Sequence, residues 1–279
     1  MNPDYSISEL CEALAVSRSG YHDWAARSPG PRAQANAAFL PLITQAHQES
    51  RETYGSPRIT RWLQARGQRC GRVRVARLMK QAGLSQKVRR RFRPLSLTDS
   101  EHDLPVAPNH LLAQPPPPAP DVVWVGYITY VPTLEGWLYV AGLVDRCSRR
   151  CVGWAMSDSL ETTLPLAALE MALKQRQPPA GLVPHSDCGV QYASAAYRAR
   201  LAAAGVIPSV SRKGNCYDNA WIESFWSSLK RELIHRCLCA TRAQARAAIF
   251  EWIEVFYNRV RFHSALGYQS PVDFETQLN

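Results

Sequence analysis

Two acids, Asp187 and Glu223, carry the chemistry that the rest of the chain must position. Asp187 closes the triplet His185-Ser186-Asp187 just after a short apolar run, Gly181, Leu182 and Val183, and so reads as a residue at a strand end. Glu223 lies in a helical pattern in which Ile222, Phe225, Trp226 and Leu229 recur at the spacing of one helix face. The two are separated by 35 residues. A strand-end carboxylate beside a helix carboxylate is what a divalent-metal site for phosphoryl transfer requires. Hard cations such as Mg²⁺ take oxygen ligands and keep open positions for water and phosphate. Two acids can equally be solvated surface charges, so their setting has to decide.

The setting begins with a change of pattern at residue 122. Val122 to Val131 is mostly β-branched and aromatic, Pro132 to Gly136 supply a turn, and Trp137 to Asp145 and Cys151 to Ala155 read as second and third strands. A helix is expected over 163–175, then the strand before Asp187, a helix over 193–204 and a short strand over 206–210. The Glu223 helix should span about 218–235, with another over about 241–257. Three antiparallel strands, then alternating helix and strand, then helices, is the order of an RNase H-like fold with a mixed five-stranded sheet. Proteins of that fold bring together an acid on the first strand, an acid on the fourth and an acid on a helix.

Charge divides the chain before the fold does. Residues 1–95 hold 17 Lys and Arg against 6 acids, residues 96–120 hold 3 acids and no Lys or Arg, and residues 121–279 hold 16 basic and 14 acidic residues. The excess of +10 is therefore nearly all N-terminal, which suits a nucleic-acid-binding half joined to a near-neutral half. Residues 96–120 are Pro-rich, with Pro115 to Pro118 near their end, and read as a stiff linker. The expected division is a helical DNA-binding region at 1–95, a linker at 96–120 and a catalytic core with C-terminal helices at 121–279.

Within the basic half, Ser6-x-x-Glu9 is a capping box, and a break at Val16 to Gly20 precedes a second segment, Tyr21 to Arg27. That layout fits a helix-turn-helix or a plain helical hairpin. A helix from about Arg32 to Ser50 should be broken or kinked by Pro41. Ser56 can cap a further helix, with Pro57 at its first position and Arg58 following. After Gly67 a second helix interleaves Val73, Val75, Ala76, Leu78 and Met79 with Arg72, Arg74, Arg77 and Lys80, a better helix-turn-helix candidate. Its guanidinium groups could sit on phosphates or read guanine edges. Lys87 to Arg93, with Arg89, Arg90 and Arg91 around Phe92, suits a phosphate backbone.

The eight cysteines are scattered without a Cys-x-x-Cys pair, and Cys237-x-Cys239 with His235 lacks the second pair a zinc site needs. No secretory signal and no apolar run of membrane length stand out, so reduced thiols and a cytoplasmic location are expected.

The motifs together resemble bacterial insertion-sequence transposases of the DDE class, namely the second reading-frame product of the IS-three group, kin to retroviral integrases. They are Tyr54-Gly55-Ser56-Pro57-Arg58-Ile59, Arg74 to Met79, Trp124-Val125-Gly126 with Ile128-Thr129-Tyr130, and Asp145 with Ser148-Arg149. They continue through His185-Ser186-Asp187 with Gly189 to Tyr192, Ser211 to Ala220, Glu223-Ser224-Phe225, and Tyr257-Asn258 to Pro271. The resemblance implies that Asp187 and Glu223 are two of three catalytic acids, holding Mg²⁺ or Mn²⁺ as two ions in an intact site. It implies cleavage and strand transfer at element ends without a covalent protein–DNA intermediate. It implies double-stranded DNA as partner (terminal repeats and target), a homo-oligomer on DNA, an upstream reading-frame product as further partner, and a nucleoid-associated protein with no membrane. Lys213 and Lys230 become candidates for holding DNA near the metals, with Arg212 and Arg261 weaker ones.

The family's first Asp should stand between Gly126 and Ile128, where this chain has Tyr127. A phenol of pKa about 10 is a poor Mg²⁺ ligand beside a carboxylate. If the hairpin turns near Leu134, Tyr127 faces Ala141, and Asp145 lies four residues on, roughly 13 Å away. Asp121 lies further still. Pro184 and Cys188 also depart from the family's usual His and Arg. The expectation is an enzyme by family whose metal affinity and strand transfer are impaired, or else an inactive DNA-binding homologue that occupies element ends. A nuclease of the same fold fits less well, because two helix-turn-helix candidates argue for site recognition.

Overall fold

The structure is a computed structural model that describes residues 5–87, 101–112, 114–212, 220–236 and 238–278. It divides into two compact units, Met1–Ser85 and Gln86–Asn279.

The first unit is helical. Helices α1 (Ile7–Ala13) and α2 (Arg18–Ala26) form a short pair, with the Ser6–Glu9 capping box closed as the residue types predict. Helix α3 (Pro31–Glu49) runs through Pro41 without a break, against expectation. Proline removes the hydrogen bond to the carbonyl four residues back, here that of Ala37. Both residues lie on the exposed side of α3, where water can take that carbonyl. Helices α4 (Ser56–Ala65) and α5 (Arg72–Gln81) complete a helix-turn-helix. Gly55, not Ser56, is the N-cap residue of α4, and Gly67 leaves its C-terminal end at φ +77°. Ile59, Trp62 and Leu63 of α4, Val75, Leu78 and Met79 of α5, and Ile43 and Ala46 of α3 form one core. Spacings of three and four residues place each set on one helix face.

The second unit is built on a five-stranded sheet of order β3-β2-β1-β4-β5. Strands β1 (Val123–Thr133), β2 (Gly136–Asp145) and β3 (Cys151–Ser157) are antiparallel, whereas β4 (Val183–Ser186) runs parallel to β1 and β5 (Ser209–Val210) parallel to β4. The β1–β2 register pairs Tyr127 with Gly142 and Trp124 with Asp145. The expected partner, Ala141, was one residue off, because Thr133 and Gly136 close the turn.

Alternation along the strands makes two faces. Val125, Val131, Val140 and Val144 pack with Tyr127 against helix α9 (Ala220–Leu229), helix α10 (Arg242–Glu251) and the wider π-helical turns that continue them, Lys230–Ile234 and Trp252–Tyr257. On the other face Trp124, Ile128, Ala141 and Leu143 pack against α6 (Thr163–Arg176) and α8 (Ala195–Ala203), with α7 (Val190–Ala193) between β4 and α8. The C-terminal helix α11 (Pro271–Leu278) brings Glu275 to Arg150, Arg176 and Ser148. The Asn258 side chain bonds both backbone groups of Cys151 at 3.0 Å.

Part of the Pro-rich stretch is fastened to this unit rather than standing off as a spacer. His102 Nε2 lies 3.1 Å from the carbonyl of Cys188, and the N–H of His110 donates to Ser209 Oγ at 2.9 Å. No helix among the described residues is long and apolar enough to cross a membrane.

Candidate active site

The parallel β1–β4 ladder pairs Val125 with His185 and Gly126 with Ser186. Asp187 follows Ser186 directly, so it leaves the end of β4 at the level of Tyr127. The Asp187 side chain is buried, and its Oδ1 accepts the N–H of Gly189 at 3.1 Å, turning the chain into α7. Tyr192 on α7 closes this corner. Its hydroxyl lies 3.6 Å from the point a Cβ on Gly126 would occupy. Burial, then the charges of Tyr197, Asp187 and Tyr127, push the Tyr192 phenol well above its ordinary value, so it stays neutral.

Helix α9 delivers the second acid. Ile222, Phe225, Trp226 and Leu229 are buried against the sheet, and Glu223 emerges on the open side. A Cβ on Gly142 would stand 2.9 Å and 3.0 Å from Trp226 ring atoms. Gly142 is the residue opposite Tyr127, so α9 is seated on the sheet at the level of Tyr127, with Glu223 one turn before the seated Trp226. Partial burial raises the Glu223 carboxyl above its ordinary value. The β1–β4 register thus sets Asp187 beside Tyr127, and α9 lies over the Tyr127 face of the sheet with Glu223 on its exposed side.

The two neighbouring acids, Asp145 and Asp121, stand away from Tyr127. The register leaves Asp145 three residues from Gly142, roughly 10 Å, rather than the expected four. It also puts Asp145 on the face of Trp124, opposite to Tyr127. Asp145 is fully buried: its Oδ1 accepts the N–H groups of Cys147 and Ser148, and its Oδ2 that of Asp121. Burial, partly offset by these bonds, raises its pKa to about 6. Asp121 accepts Trp124 Nε1 at 2.9 Å and pairs with Arg176 at 2.6 Å. Both acids hold the loop and the strand start in place.

Of the expected basic residues near the acids, Lys230 lies where α9 widens into its π-helical turn, with Nζ 4.7 Å from the centre of the Tyr130 ring. Burial lowers its pKa. Arg261 is buried in a forked pair with Glu232, 2.7 Å at its closest, and so serves packing. Lys213 lies outside the described residues.

Two site neighbours were not assigned from the sequence. The guanidinium of Arg149 lies 3.9 Å from the centre of the Trp221 ring and that of Arg146 lies 5.5 Å away, so the 145–150 loop packs on the first turn of α9, two residues before Glu223. Arg149 has φ 63°, in the left-handed region that a non-glycine residue rarely adopts. In the sequence, Arg149 belongs to the motif of Asp145 with Ser148-Arg149, and Trp221 is the aromatic beside Glu223.

In the first unit the basic candidates separate. Arg72 and Arg77 of α5 are exposed. Arg74 donates through Nε to Asn36 Oδ1 at 2.9 Å and lies 4.2 Å over the Phe39 ring, which fastens α5 to α3. Arg58 is half-buried, 5.4 Å from the centre of the Tyr54 ring. Arg89, Arg90 and Arg91 lie outside the described residues.

The strand order and the site describe an integrase-type polynucleotidyl transferase core in a chain that also carries a helix-turn-helix. Residues 117–216 and 204–271 match integrase core domain families, and residues 34–92 match an HTH-like domain family. The chain is 46% identical over 270 residues to the insertion element IS600 uncharacterized 31 kDa protein of Shigella sonnei, covering 97% of this chain and 98% of that one. It is 40% identical over 276 residues to the transposase InsF for insertion sequence IS3A of Escherichia coli (strain K12), covering 98% and 95%. The chain belongs to the insertion-sequence transposases of the IS3 group. Solved structures with a similar fold include a simian T-cell lymphotropic virus intasome in complex with PP2A regulatory subunit B56 gamma (13% identity, 84% of this chain and 74% of that one, TM-score 0.49). Another is the HTLV-2 integrase catalytic core domain in complex with magnesium (15% identity, 57% and 98%, TM-score 0.45).

Proposed function

We infer that this transposase binds double-stranded DNA at the ends of its element and at the target, and that its own cleavage and strand transfer are impaired. Residues 1–95 would supply DNA recognition, 121–279 the catalytic core and 96–120 the connection. Arg72 and Arg77 would meet DNA directly, with Arg58 and Arg74 supporting the helices that carry them. Arg89, Arg90, Arg91, Lys213 and Lys230 would hold phosphates. A bacterial cytoplasmic protein acting on nucleoid DNA as a homo-oligomer, with an upstream reading-frame product as partner, accords with this reading.

The observation that carries the impairment is the donor set. Asp187 and Glu223 are two hard oxygen donors suited to Mg²⁺ or Mn²⁺. A pair of ions roughly 3.5–4 Å apart needs a further bridging carboxylate, and the third position holds the Tyr127 phenol. Asp145 and Asp121 are engaged elsewhere. The residues therefore do not fit a two-ion site. A second reading follows from the same donor set: a DNA-binding homologue that occupies element ends, or poisons oligomers, without catalysis.

The test compares the chain with Tyr127→Asp in cleavage and strand-transfer assays with Mg²⁺ and Mn²⁺. Activity gained only in the variant supports impairment. Equal, robust activity in both overturns it. End binding by a chain inert in both forms favours the regulatory reading.

A further inference from the structure

Helix α5 has two unlike faces. Val75, Leu78 and Met79 are buried in the first unit, whereas Arg72, Val73, Ala76, Arg77 and Lys80 are exposed. Val73 is 84% exposed, more than any other large hydrophobic side chain among the described residues. At that exposure its side chain adds almost nothing to the core. Nor does it favour the helix, since a β-branched residue loses rotamer freedom there and Ala, Lys or Glu would serve better. A single exposed apolar residue needs no explanation on an ordinary surface. This one, however, stands in the first turn of the second helix of a helix-turn-helix, where base edges are met. It is also flanked by exposed cations, with no acid on the face to repel phosphate.

The rotation of α5 about its axis is set by contacts within the unit. Arg74 is held by Asn36 and Phe39 of α3, and the Val75, Leu78 and Met79 stripe is held by the core. The opposite face, led by Val73, is therefore presented in one orientation. Its chemistry is that of guanidinium and ammonium donors, two small apolar side chains, those of Val73 and Ala76, and the amide of Gln81 in the last turn. In the major groove such donors suit guanine O6 and N7 or phosphates, and an apolar side chain suits the one apolar group there, the thymine C5 methyl.

We propose that Val73 reads a thymine methyl group in the DNA site that α5 recognises, with Arg72 and Arg77 setting its register on the duplex. This rests on the DNA-binding reading above and adds the base feature that the helix senses.

The test uses the full chain and the duplex it prefers in a selection from random sequence, with each thymine replaced in turn by deoxyuridine, which lacks only the methyl. At one thymine, or its symmetry mate, replacement should weaken binding about fourfold, the value of one buried methyl group. Val73→Ala should bind the thymine duplex about as weakly as the wild type binds the uracil one, and should no longer distinguish the two. Val73→Thr, which keeps a methyl, should retain the distinction. Melting temperature and affinity for unrelated duplex should be unchanged in both variants. The proposal is overturned if no thymine is sensitive in the wild type, or if Val73→Ala discriminates as the wild type does. If the wild type selects no sequence at all, recognition by the first unit fails, and the role of Val73 with it.

Discussion

Tyr127 faces Gly142 across the β1–β2 ladder, and the Trp226 ring lies against that glycine. One residue without a side chain thus lets α9 come down on the sheet beside Tyr127. Gly142→Ala puts a methyl 2.9 Å from Trp226, so either the ring or the helix must shift. Overpacking of this kind typically costs about 1–3 kcal/mol. Urea denaturation followed by circular dichroism should show the loss. In a Tyr127→Asp background, Gly142→Ala should also lower cleavage by displacing Glu223, while duplex binding is kept. Full activity of the double variant would mean that α9 is not seated by this contact.

Asp145 makes stability depend on pH in the direction opposite to most acids. Its folded pKa of about 6 stands above the ordinary 3.8, because it is buried. Between those values the folded protein keeps a proton that the unfolded chain has released. Raising the pH from about 4 to about 6 therefore costs stability, and above about 6 the effect is constant. A shift of about two units corresponds to roughly 3 kcal/mol. Asp145→Asn should remove this decline, leaving a fixed offset from the altered contact with the Asp121 N–H. Glu275 works the other way: burial opposes its charge, but hydrogen bonds from Arg176, Ser148 and Arg150 outweigh it and hold its pKa below the ordinary value. Its contribution is lost as the pH falls below about 4.5 in both proteins, so comparing melting temperatures of wild type and Asp145→Asn from pH 4.5 to 7 isolates Asp145. Parallel curves would refute the assignment.

The succession of strands and helices, the helix acid and the strand-end acid could be read from the chain because each rests on a local signal. Alternation marks the strands, the Ile222, Phe225, Trp226 and Leu229 stripe marks α9, and the run to Asp187 marks β4. Register is not local in this way. Placing the turn one residue off exchanged Ala141 for Gly142, and with it the face on which Asp145 stands. The same limit hid the separation of Arg74 from Arg72 and Arg77. Which guanidinium packs on Asn36 and Phe39 depends on a helix some 35 residues away in sequence. Pro41 misled because the rule against proline in helices is strict only where the freed carbonyl is buried.

The Arg261–Glu232 pair ties the π-helical turn after α9 to the chain that follows α10, with both side chains only 6% exposed. Arg261 also donates to Ser228 Oγ at 3.2 Å. Removing one member of such a pair strands a buried charge and costs about 3–5 kcal/mol, whereas replacing both with apolar residues is often near neutral. Arg261→Met should thus lower the denaturation midpoint sharply, and Arg261→Met with Glu232→Met should recover most of the loss. A double variant as unstable as the sum of the two single ones would show that the charges are not acting as a pair.

The two kinds of arginine on α5 should fail in different ways. Arg72 is exposed and makes no hydrogen bond or ion pair among the described residues, so Arg72→Ala should leave the melting temperature unchanged and weaken duplex binding. If Arg72 meets a phosphate, the slope of log affinity against log salt should fall by about one. Arg74 is fixed to Asn36 and Phe39, so Arg74→Ala should lower the stability of the first unit by about 1–2 kcal/mol, from one hydrogen bond and one cation–π contact. Its DNA affinity should fall only as far as α5 loosens, and should recover at low temperature. Hydrogen exchange across residues 31–81 separates the two cases. Faster exchange with Arg74→Ala and none with Arg72→Ala is the expected result, and the reverse would reassign the reading face of α5.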